Sequence, residues 1–275
     1  MKIYQNKEKL TKLYEEFKSG KKVANHLNVN EDTIYTWLKK LGIDTSQTGS
    51  QGARKNNLNH DYFKKIDSED KAYWLGFIMA DGCVYAGTNH TLRLQINLAS
   101  SDLDHLNKFQ EAIESSYKIQ IKKVNQKNEA AILKINSTKL CKDLQNLGVV
   151  FRKSLICEMP NIPNELMKHF IRGYFDGDGC ITTPKNKNTK VTIVGGEKMM
   201  KSIKDFLEKE NISISLHNPY KGKKTFNLET QSKKNVTEFL RFLYDDASIY
   251  LDRKYFLYKK FLEKSKPVPL NSNVK

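Results

Sequence analysis

The sequence of 275 residues lacks the features of several protein classes. No apolar run approaches the ~20 residues that a membrane-spanning helix needs, and the polar first ten residues lack the apolar core of a signal peptide. The four cysteines form no CxxC pair and the six histidines lack metal-ligand spacing, which argues against a disulfide scaffold and against a zinc finger. We therefore expect a protein of the reducing cytoplasm with no membrane partner.

Acidic residues are scarce relative to basic ones. The chain has 47 Lys and Arg against 31 Asp and Glu, a net charge of +16, and hydrophobic residues make up 39%, enough for a sizeable core. Residues 1–43 hold nine basic and five acidic residues, so the excess is not confined to one tail. It favours a polyanionic partner, above all nucleic acid, although an AT-rich genome would also enrich Lys and Asn.

Residues 1–43 have the pattern of three short helices. Apolar residues recur at helical spacing in 7–18, 21–27 and 31–42, and the tight turn that begins at Asn28 follows the small Ala24 by four positions. Asn tolerates the left-handed backbone that such a turn requires. The spacing predicts a helix-turn-helix, with a plain three-helix bundle as the alternative. The candidate DNA contacts are the exposed residues of the third helix: Thr33, Tyr35, Thr36, Lys39 and Lys40.

An internal repeat with an offset of 97 residues occupies most of the remaining chain. YWLGFIMADGCVY at 73–85 matches FIRGYFDGDGCIT at 170–182, and Phe109 matches Phe206 downstream. Two such copies predict a pseudo-dimer within one chain. In each copy, helices and period-two strands follow in the order αββαββα, which predicts an α+β fold with helices on one face of an antiparallel sheet.

Composition then sets the domain boundaries. The expected domains are a helix-turn-helix at 1–43, a polar linker at 44–60, repeats at 61–157 and 158–265, and a flexible tail at 266–275. Arg54 and Lys55 in the linker are possible phosphate contacts.

Small residues recur four positions apart in each copy of the motif, which exposes backbone on one helix face and lets two such helices pack closely. The residues predicted to form this helix interface are Gly76, Ala80, Gly173 and Gly177. The interface would bring Asp81 and Asp178 together at the pseudo-twofold axis, each followed by a Gly that ends its helix.

Two neighbouring carboxylates repel each other unless a cation joins them. Mg²⁺ suits a site made of carboxylate, phosphate and water, and such an ion activates water for phosphodiester hydrolysis. The alternative, a purely structural role, is disfavoured because a helix C-terminus is already negative. Asp176 matches Met79 in the first copy, so we interpret it as a packing or capping residue.

The segments WLGFIMADG at 74–82 and IRGYFDGDG at 171–179 resemble the signature of the LAGLIDADG family. Two copies in one chain resemble its monomeric homing endonucleases, and the flanking sequence resembles the bacterial and phage branch. The resemblance implies site-specific double-strand DNA cleavage near the nucleoid by a monomer that needs no protein partner. It also implies a metal site for Mg²⁺, or Mn²⁺ in its place, at Asp81, Asp178, Gly82 and Gly179.

Family members also carry basic residues at the start of the last helix of each half. The matching places are Arg152 and Lys153, then Arg253 and Lys254, of which Lys153 and Lys254 are the candidate catalytic residues. Asp252 stands where a Lys is expected. This argues against a basic catalytic partner at that position in the second half, and against equal cleavage of both DNA strands. The alternatives are a DNA-binding regulator of the same fold that has lost cleavage, and an intron RNA maturase.

Alternation in the strands predicts a polar face directed away from the helices. Arg favours guanine edges, and Gln or Asn favours adenine edges. In the first copy this face comprises Arg93, Gln95, Asn97, Lys118, Gln120, Lys122, Lys134 and Asn136. In the second copy it comprises Lys190, Thr192, Asn227, Glu229 and Gln231. We expect these two faces to contact double-stranded DNA, although a polar strand face is often only solvated.

Overall fold

The computed structural model describes residues 2–17, 19–43, 45, 56–87, 91–149, 157–185, 188–219, 222 and 224–265. The chain separates into two compact units, Met1–Asn57 and Leu58–Lys275. Within the described ranges, none of the helices combines the length and apolar character that a bilayer crossing requires.

The first unit contains three helices around one small core. They are α1 (Lys7–Phe17), α2 (Gly20–His26) and α3 (Glu31–Lys40), and the last two start at the side-chain caps Ser19 and Asn30. Asn28 has a φ of 51°, the left-handed conformation predicted for the turn, and Val29 N donates to Ala24 O at 3.0 Å. The helix bounds differ from the predicted ones by one or two residues at the ends, which fray most easily.

The second unit contains two copies of one αββαββα arrangement followed by a final helix. The first copy runs through α4 (Glu69–Asp81), β1 (Gly82–Ala86), β2 (Leu92–Ala99), α5 (Leu103–Ala112), β3 (Gln120–Lys123), β4 (Glu129–Asn136) and α6 (Thr138–Asn146). The second runs through α7 (Met167–Asp178), β5 (Gly179–Thr182), β6 (Lys190–Gly196), α8 (Glu197–Lys209), β7 (Ser215–His217), β8 (Thr225–Thr230) and α9 (Lys233–Tyr244). Helix α10 (Asp252–Ser265) closes the described chain.

Each copy forms its own four-stranded antiparallel sheet. The strand orders are β1-β2-β4-β3 and β5-β6-β8-β7. Gly82 pairs with Ile96 in the first sheet and Gly179 with Ile193 in the second, so the register repeats at the same offset of 97 as the motif. One buried apolar cluster joins both sheets to the helices on their inner faces. The predicted α+β fold with two pseudo-symmetric halves is confirmed.

The glycines after the two motif helices end them by a different route from a left-handed cap. Gly82 and Gly179 have φ of −84° and −91°, so each helix passes directly into an extended strand. A β-carbon at Gly82 would lie 2.7 Å from Ile78 Cγ2, and one at Gly179 would lie 2.2 Å from Phe175 Cδ2. Glycine is therefore needed there for space and not for a positive φ.

Candidate active site

The two motif helices, α4 and α7, pack backbone to backbone. A β-carbon built at Gly76 would lie 2.0 Å from Phe170 O, and one built at Gly173 would lie 1.9 Å from Tyr73 O. The two contacts are reciprocal, because Phe170 lies 97 positions after Tyr73, as Gly173 does after Gly76. No side chain fits at either position, which is why the sequence has glycine at both.

The next turn of the same interface is tight but not symmetric. A β-carbon at Gly177 would lie 2.2 Å from Ala80 Cβ, so this level holds one methyl group and not two. The same β-carbon would lie 3.3 Å from Asp81 Oδ2. The four small residues thus lie where α4 and α7 pack closely, and this contact brings the Asp81 carboxylate beside the backbone just before Asp178.

Asp81 and Asp178 are the last residues of α4 and α7. Asp81 is half-buried and Asp178 is exposed. Both carboxylates stand at the negative end of a helix dipole, where an anion is unfavourable. Two such carboxylates at adjoining helix ends form a negative focus suited to a divalent cation.

Behind the motif, Asp176 is buried completely and lies between the two repeats. Its Oδ2 accepts hydrogen bonds from Tyr73 Oη at 2.7 Å and Leu251 N at 2.7 Å, and its Oδ1 accepts one from Tyr244 Oη at 2.5 Å. Burial raises the pKa of Asp176, against the lowering effect of Lys254 and of these three donors. Asp176 is thus a buried packing residue, one of the two roles expected for it, and the bond from Leu251 N holds the chain at the start of α10.

The side chain of Lys254 is directed into the protein. It is 2% exposed, and its Nζ donates to Phe175 O and, at 2.8 Å, to Asp176 O. Burial lowers the pKa of Lys254 to about 8, while the charges of Asp176 and Asp81 act to raise it. The ammonium group thus binds the carbonyls of the last turn of α7.

The neighbours of Lys254 at the start of α10 form surface ion pairs. Arg253 is more exposed and donates to Asp102 Oδ2 at 2.9 Å, while Asp252 accepts from Lys108 Nζ at 2.7 Å. Arg152 and Lys153 lie outside the described residues.

A second buried polar contact joins the repeats further along the helices. Arg172 is fully buried and donates from Nη2 to Glu69 Oε1 at 2.6 Å. Its remaining donors bond to Ile249 O and Leu243 O, and Ser248 N donates to Glu69. Glu69 begins α4 and Arg172 lies within α7, so this ion pair links the two halves and the chain before α10.

The outer face of the first sheet, directed away from the helices, carries most of the predicted polar set. On β2, Arg93, Gln95 and Asn97 alternate with buried apolar residues. Arg93 lies opposite Asn136 and Gln95 opposite Lys134 on β4, and Gln95 Nε2 donates to Asn97 Oδ1 at 3.0 Å. The other members are Gln120 and Lys122 on β3, and Lys118, which precedes that strand.

The outer face of the second sheet combines the predicted residues into a network. Lys190 Nζ lies 2.6 Å from Glu229 Oε2, and Asn227 Nδ2 donates to Glu229 Oε1 at 3.3 Å. Thr192 lies opposite Glu229 in the register. Gln231 follows the end of β8 and is exposed.

The profile of the LAGLIDADG-like domain matches residues 68–148 and 165–243. These two ranges contain the two structural repeats and cover more than half of the chain. This chain belongs to the LAGLIDADG family.

Two solved structures of LAGLIDADG endonucleases share the fold. The meganuclease I-AabMI bound to uncleaved DNA is 16% identical over 70% of this chain and 89% of that chain, with a TM-score of 0.50. The homing endonuclease I-GzeII in complex with a DNA target is 15% identical over 70% and 88%, with a TM-score of 0.51. Full-length DUF199/WhiA from Thermatoga maritima is 17% identical over 76% and 66%, with a TM-score of 0.47. The sequence matches none of the curated proteins with which it was compared.

The donor atoms at the LAGLIDADG helix ends fit a hard divalent cation. Asp81 and Asp178 offer carboxylate oxygens, and Gly82 and Gly179 offer main-chain carbonyls. No cluster of three or more His, Cys, Asp or Glu side chains suited to a metal occurs among the described residues. Mg²⁺ typically takes one or two carboxylates and shares its remaining positions between water and phosphate. The two Asp residues therefore fit Mg²⁺ bound together with a phosphate.

In the first unit of this LAGLIDADG protein, α3 exposes most of the predicted contact residues. Tyr35, Thr36, Lys39 and Lys40 are exposed, and Thr33 is half-buried. The Tyr35 ring covers Gly20, where a β-carbon would lie 2.7 Å from its Cζ, and Lys40 Nζ lies 4.6 Å from the centre of the Trp37 ring. Both side chains thus have a structural contact as well as an exposed surface.

Sequence reasoning did not find the partners of the buried polar residues. Tyr73, Tyr244 and Glu69 look like ordinary helix residues along the chain, and their partners are 68 to 103 positions away. The available signal was Arg172, a charged residue in the middle of a motif helix whose neighbours are apolar. A buried charge requires a partner.

Proposed function

We propose that this LAGLIDADG protein is a site-specific double-strand DNA endonuclease of the homing type. The observation that carries the proposal is the backbone contact of α4 and α7 at Gly76 and Gly173, because it brings Asp81 and Asp178 to adjoining helix ends. Both motif copies lie in one chain, which supports action as a monomer without a protein partner. Its substrate would be DNA of the cytoplasm or nucleoid.

Asp81 and Asp178 would hold Mg²⁺, or Mn²⁺ in its place, with the carbonyls of Gly82 and Gly179 as further ligands. When bound, such an ion supplies an activated water and stabilises charge on the phosphate. The role of the two carboxylates would be to bind this ion and to orient it. Lys254 fixes the last turn of α7, which carries Asp178, and places a positive charge near Asp81. Lys153 is proposed as the basic residue of the first half.

The two outer sheet faces would contact the duplex and select its sequence. The supporting observation is chemical: Arg93, Gln95, Asn97, Lys134 and Asn136 share one face in register, with donors suited to guanine and adenine edges. Among the described strand residues, that face of the first sheet has no carboxylate to repel phosphate.

Residues 1–43 would act as a second DNA-binding module of the helix-turn-helix type. The left-handed Asn28 and the exposed face of α3 support this role. Deletion of residues 1–43 should weaken binding to the target but leave cleavage intact at high enzyme concentration, because a tethered module raises effective concentration and supplies no chemistry. A well-folded deletion variant that cuts nothing would contradict this division of roles.

One observation favours a second function, binding of DNA without cleavage. The Lys254 ammonium group is buried against two main-chain carbonyls and is not displayed at the site. Asp252, where a Lys is expected, is held in an ion pair with Lys108. A DNA-binding regulator would need no basic catalytic residue in the second half.

Incubation of the full chain with a library of random duplexes, with and without Mg²⁺, separates the two functions. The proposal predicts recurrent double-strand ends at one sequence only when Mg²⁺ is present. Enrichment of bound duplexes without any new ends would favour the regulator, and neither ends nor enrichment would contradict both.

A further inference from the structure

Glu229 differs in charge from the residues around it. By strand alternation it points to the outer face of the second sheet, together with Lys190, Thr192 and Asn227. Among the described strand residues, it is the only carboxylate on the outer face of either sheet. A lone acid on a face proposed to meet DNA is repelled by every phosphate, so it requires a positive reason to be there.

The Glu229 carboxylate is held in one orientation. Lys190 Nζ lies 2.6 Å from Oε2 and Asn227 Nδ2 lies 3.3 Å from Oε1, while the side chain remains 24% exposed. Burial acts to raise the pKa of Glu229, but the hydrogen bonds from Lys190 and Asn227 and the charges of Lys190 and His217 lower it overall. The residue is therefore an anion at neutral pH, with Lys190 as a cation directly beside it. Lys190 is 37% exposed, so both ends of the pair are accessible from the outer face.

The major groove contains a matching pair of groups. A carboxylate can only accept hydrogen bonds, and the donors on base edges there are the amino groups of cytosine and adenine. In a C·G pair, the cytosine N4 donor has only a C–H group on its other side, and the adjacent guanine O6 is followed by a second acceptor, N7. In an A·T pair, the adenine N6 donor is next to the acceptor N7, and thymine O4 is next to a methyl group. A carboxylate beside an ammonium group finds a donor and an acceptor in both pairs, but it fits C·G better, because the ammonium group then meets two acceptors on guanine and the carboxylate avoids the N7 acceptor that flanks adenine N6.

We propose that Lys190 and Glu229 form a specificity-determining pair that recognises a single C·G base pair, with Glu229 accepting from cytosine N4 and Lys190 donating to guanine O6 and N7. The inference rests on the proposed function, since it requires the outer face of the second sheet to lie in the major groove. It adds to that function the identity of one recognised base pair and the DNA strand on which its cytosine lies.

The test measures base preference by binding alone. Duplexes bound by the full chain without divalent ions are selected from a random library, and every single-base variant of the resulting site is then compared. The proposal predicts one C·G position at which Glu229→Gln loses discrimination by about tenfold to a hundredfold and shifts towards adenine, which Gln recognises. The same variant should bind unrelated duplex more tightly, because it removes a negative charge from the face. Lys190→Met should relax the same position.

Glu197→Gln is the matched control. It removes a carboxylate from an ion pair of the same 2.6 Å length, formed with Lys201 on α8 in the helix layer behind the sheet. Its base preference should equal that of the wild type. Thermal unfolding establishes that each variant is folded, and Lys190→Met reports on the same position should Glu229→Gln not fold.

The outcomes separate this inference from the proposed function. A wild-type chain that enriches no sequence would overturn the proposed function itself. A wild-type chain that selects a site, with Glu229→Gln preserving every base preference or changing affinity uniformly, would overturn the assignment of the pair and leave the proposed function standing.

Discussion

Tyr73 of the first repeat donates a 2.7 Å hydrogen bond to the buried carboxylate of Asp176 in the second. The matching position in the first repeat is Met79, which makes no such bond. Tyr244 and Leu251 N complete the set around Asp176, so the polar anchor exists on one side of the pseudo-twofold axis only. Buried hydrogen-bond networks of this kind favour one arrangement of the elements that they join. Here they fix α4, α7, α9 and the start of α10.

At Gly177 and Ala80 the helix interface holds a single methyl group, so we expect the two residues to be exchangeable as a pair but not singly. Gly177→Ala should destabilise the protein by about 1–3 kcal/mol, because the new β-carbon would lie 2.2 Å from Ala80 Cβ. Adding Ala80→Gly should restore most of that loss, because the pair then again holds one methyl group and one helical glycine. Urea unfolding of the two variants and the wild type measures both effects. Equal stability of the single and double variants would mean that the interface relaxes at this level.

The ion pair between the repeats predicts a pH-dependent contribution to stability. Glu69→Gln should lower the free energy of unfolding at pH 7 by about 2 kcal/mol, because it leaves the buried Arg172 guanidinium without its anionic partner. Burial acts to raise the pKa of Glu69, but hydrogen bonds from Ser248 and the charges of Arg172 and His169 lower it overall.

A carboxylate whose folded-state pKa is lowered stabilises the protein above its unfolded pKa and loses that effect as pH falls through the folded value. The difference between wild type and Glu69→Gln should therefore be full at pH 7 and shrink below about pH 4.3. Urea unfolding at pH 7 and at about pH 3.5 measures it. Glu197→Gln, which breaks an exposed helix pair, should cost less than about 0.5 kcal/mol. A difference that stays constant with pH would refute the assignment to the ionised carboxylate.

Much of this architecture could be predicted because it depends on local hydrophobic periodicity and on the 97-residue repeat, both of which are visible in the sequence. The strands β2 and β4 alternate over eight residues, and the motif marks α4 and α7 by their small residues. The short strands β1 and β5, with five and four residues, carry too little alternation to be identified from the sequence.

The parts of the site that could not be predicted depend on contacts between distant residues. Lys254 was expected at the reaction centre because family members carry basic residues at the start of the last helix, but only the packing of α10 on α7 shows its Nζ bound to Phe175 O and Asp176 O. The Lys190–Glu229 pair likewise depends on strand register, which brings together residues 39 positions apart.

The outer face of the first sheet predicts a localised change in specificity. Arg93→Ala should weaken target binding by about 1–3 kcal/mol and relax the choice at one or two base positions, because a bidentate Arg–guanine contact is lost. Binding to a panel of single-base target variants measures this. Lys201→Ala, on α8 behind the second sheet, is the control that removes one positive charge outside the proposed DNA face. Uniform weakening on all targets by Arg93→Ala would instead assign this residue to phosphate.

The most direct measurement of the central claim is double-strand cleavage of the selected target by Asp81→Asn and Asp178→Asn. Each substitution keeps the size of the side chain and removes the charge that would hold Mg²⁺. We predict that the wild type cuts with Mg²⁺ and stops when EDTA is added. Both variants should bind the target with little loss, and neither should complete a double-strand cut. Asp246→Asn, which removes an exposed carboxylate paired with Lys168 outside the site, should cut like the wild type. Full double-strand cutting by either Asn variant, or undiminished cutting by the wild type in excess EDTA, would contradict the assignment of these two carboxylates.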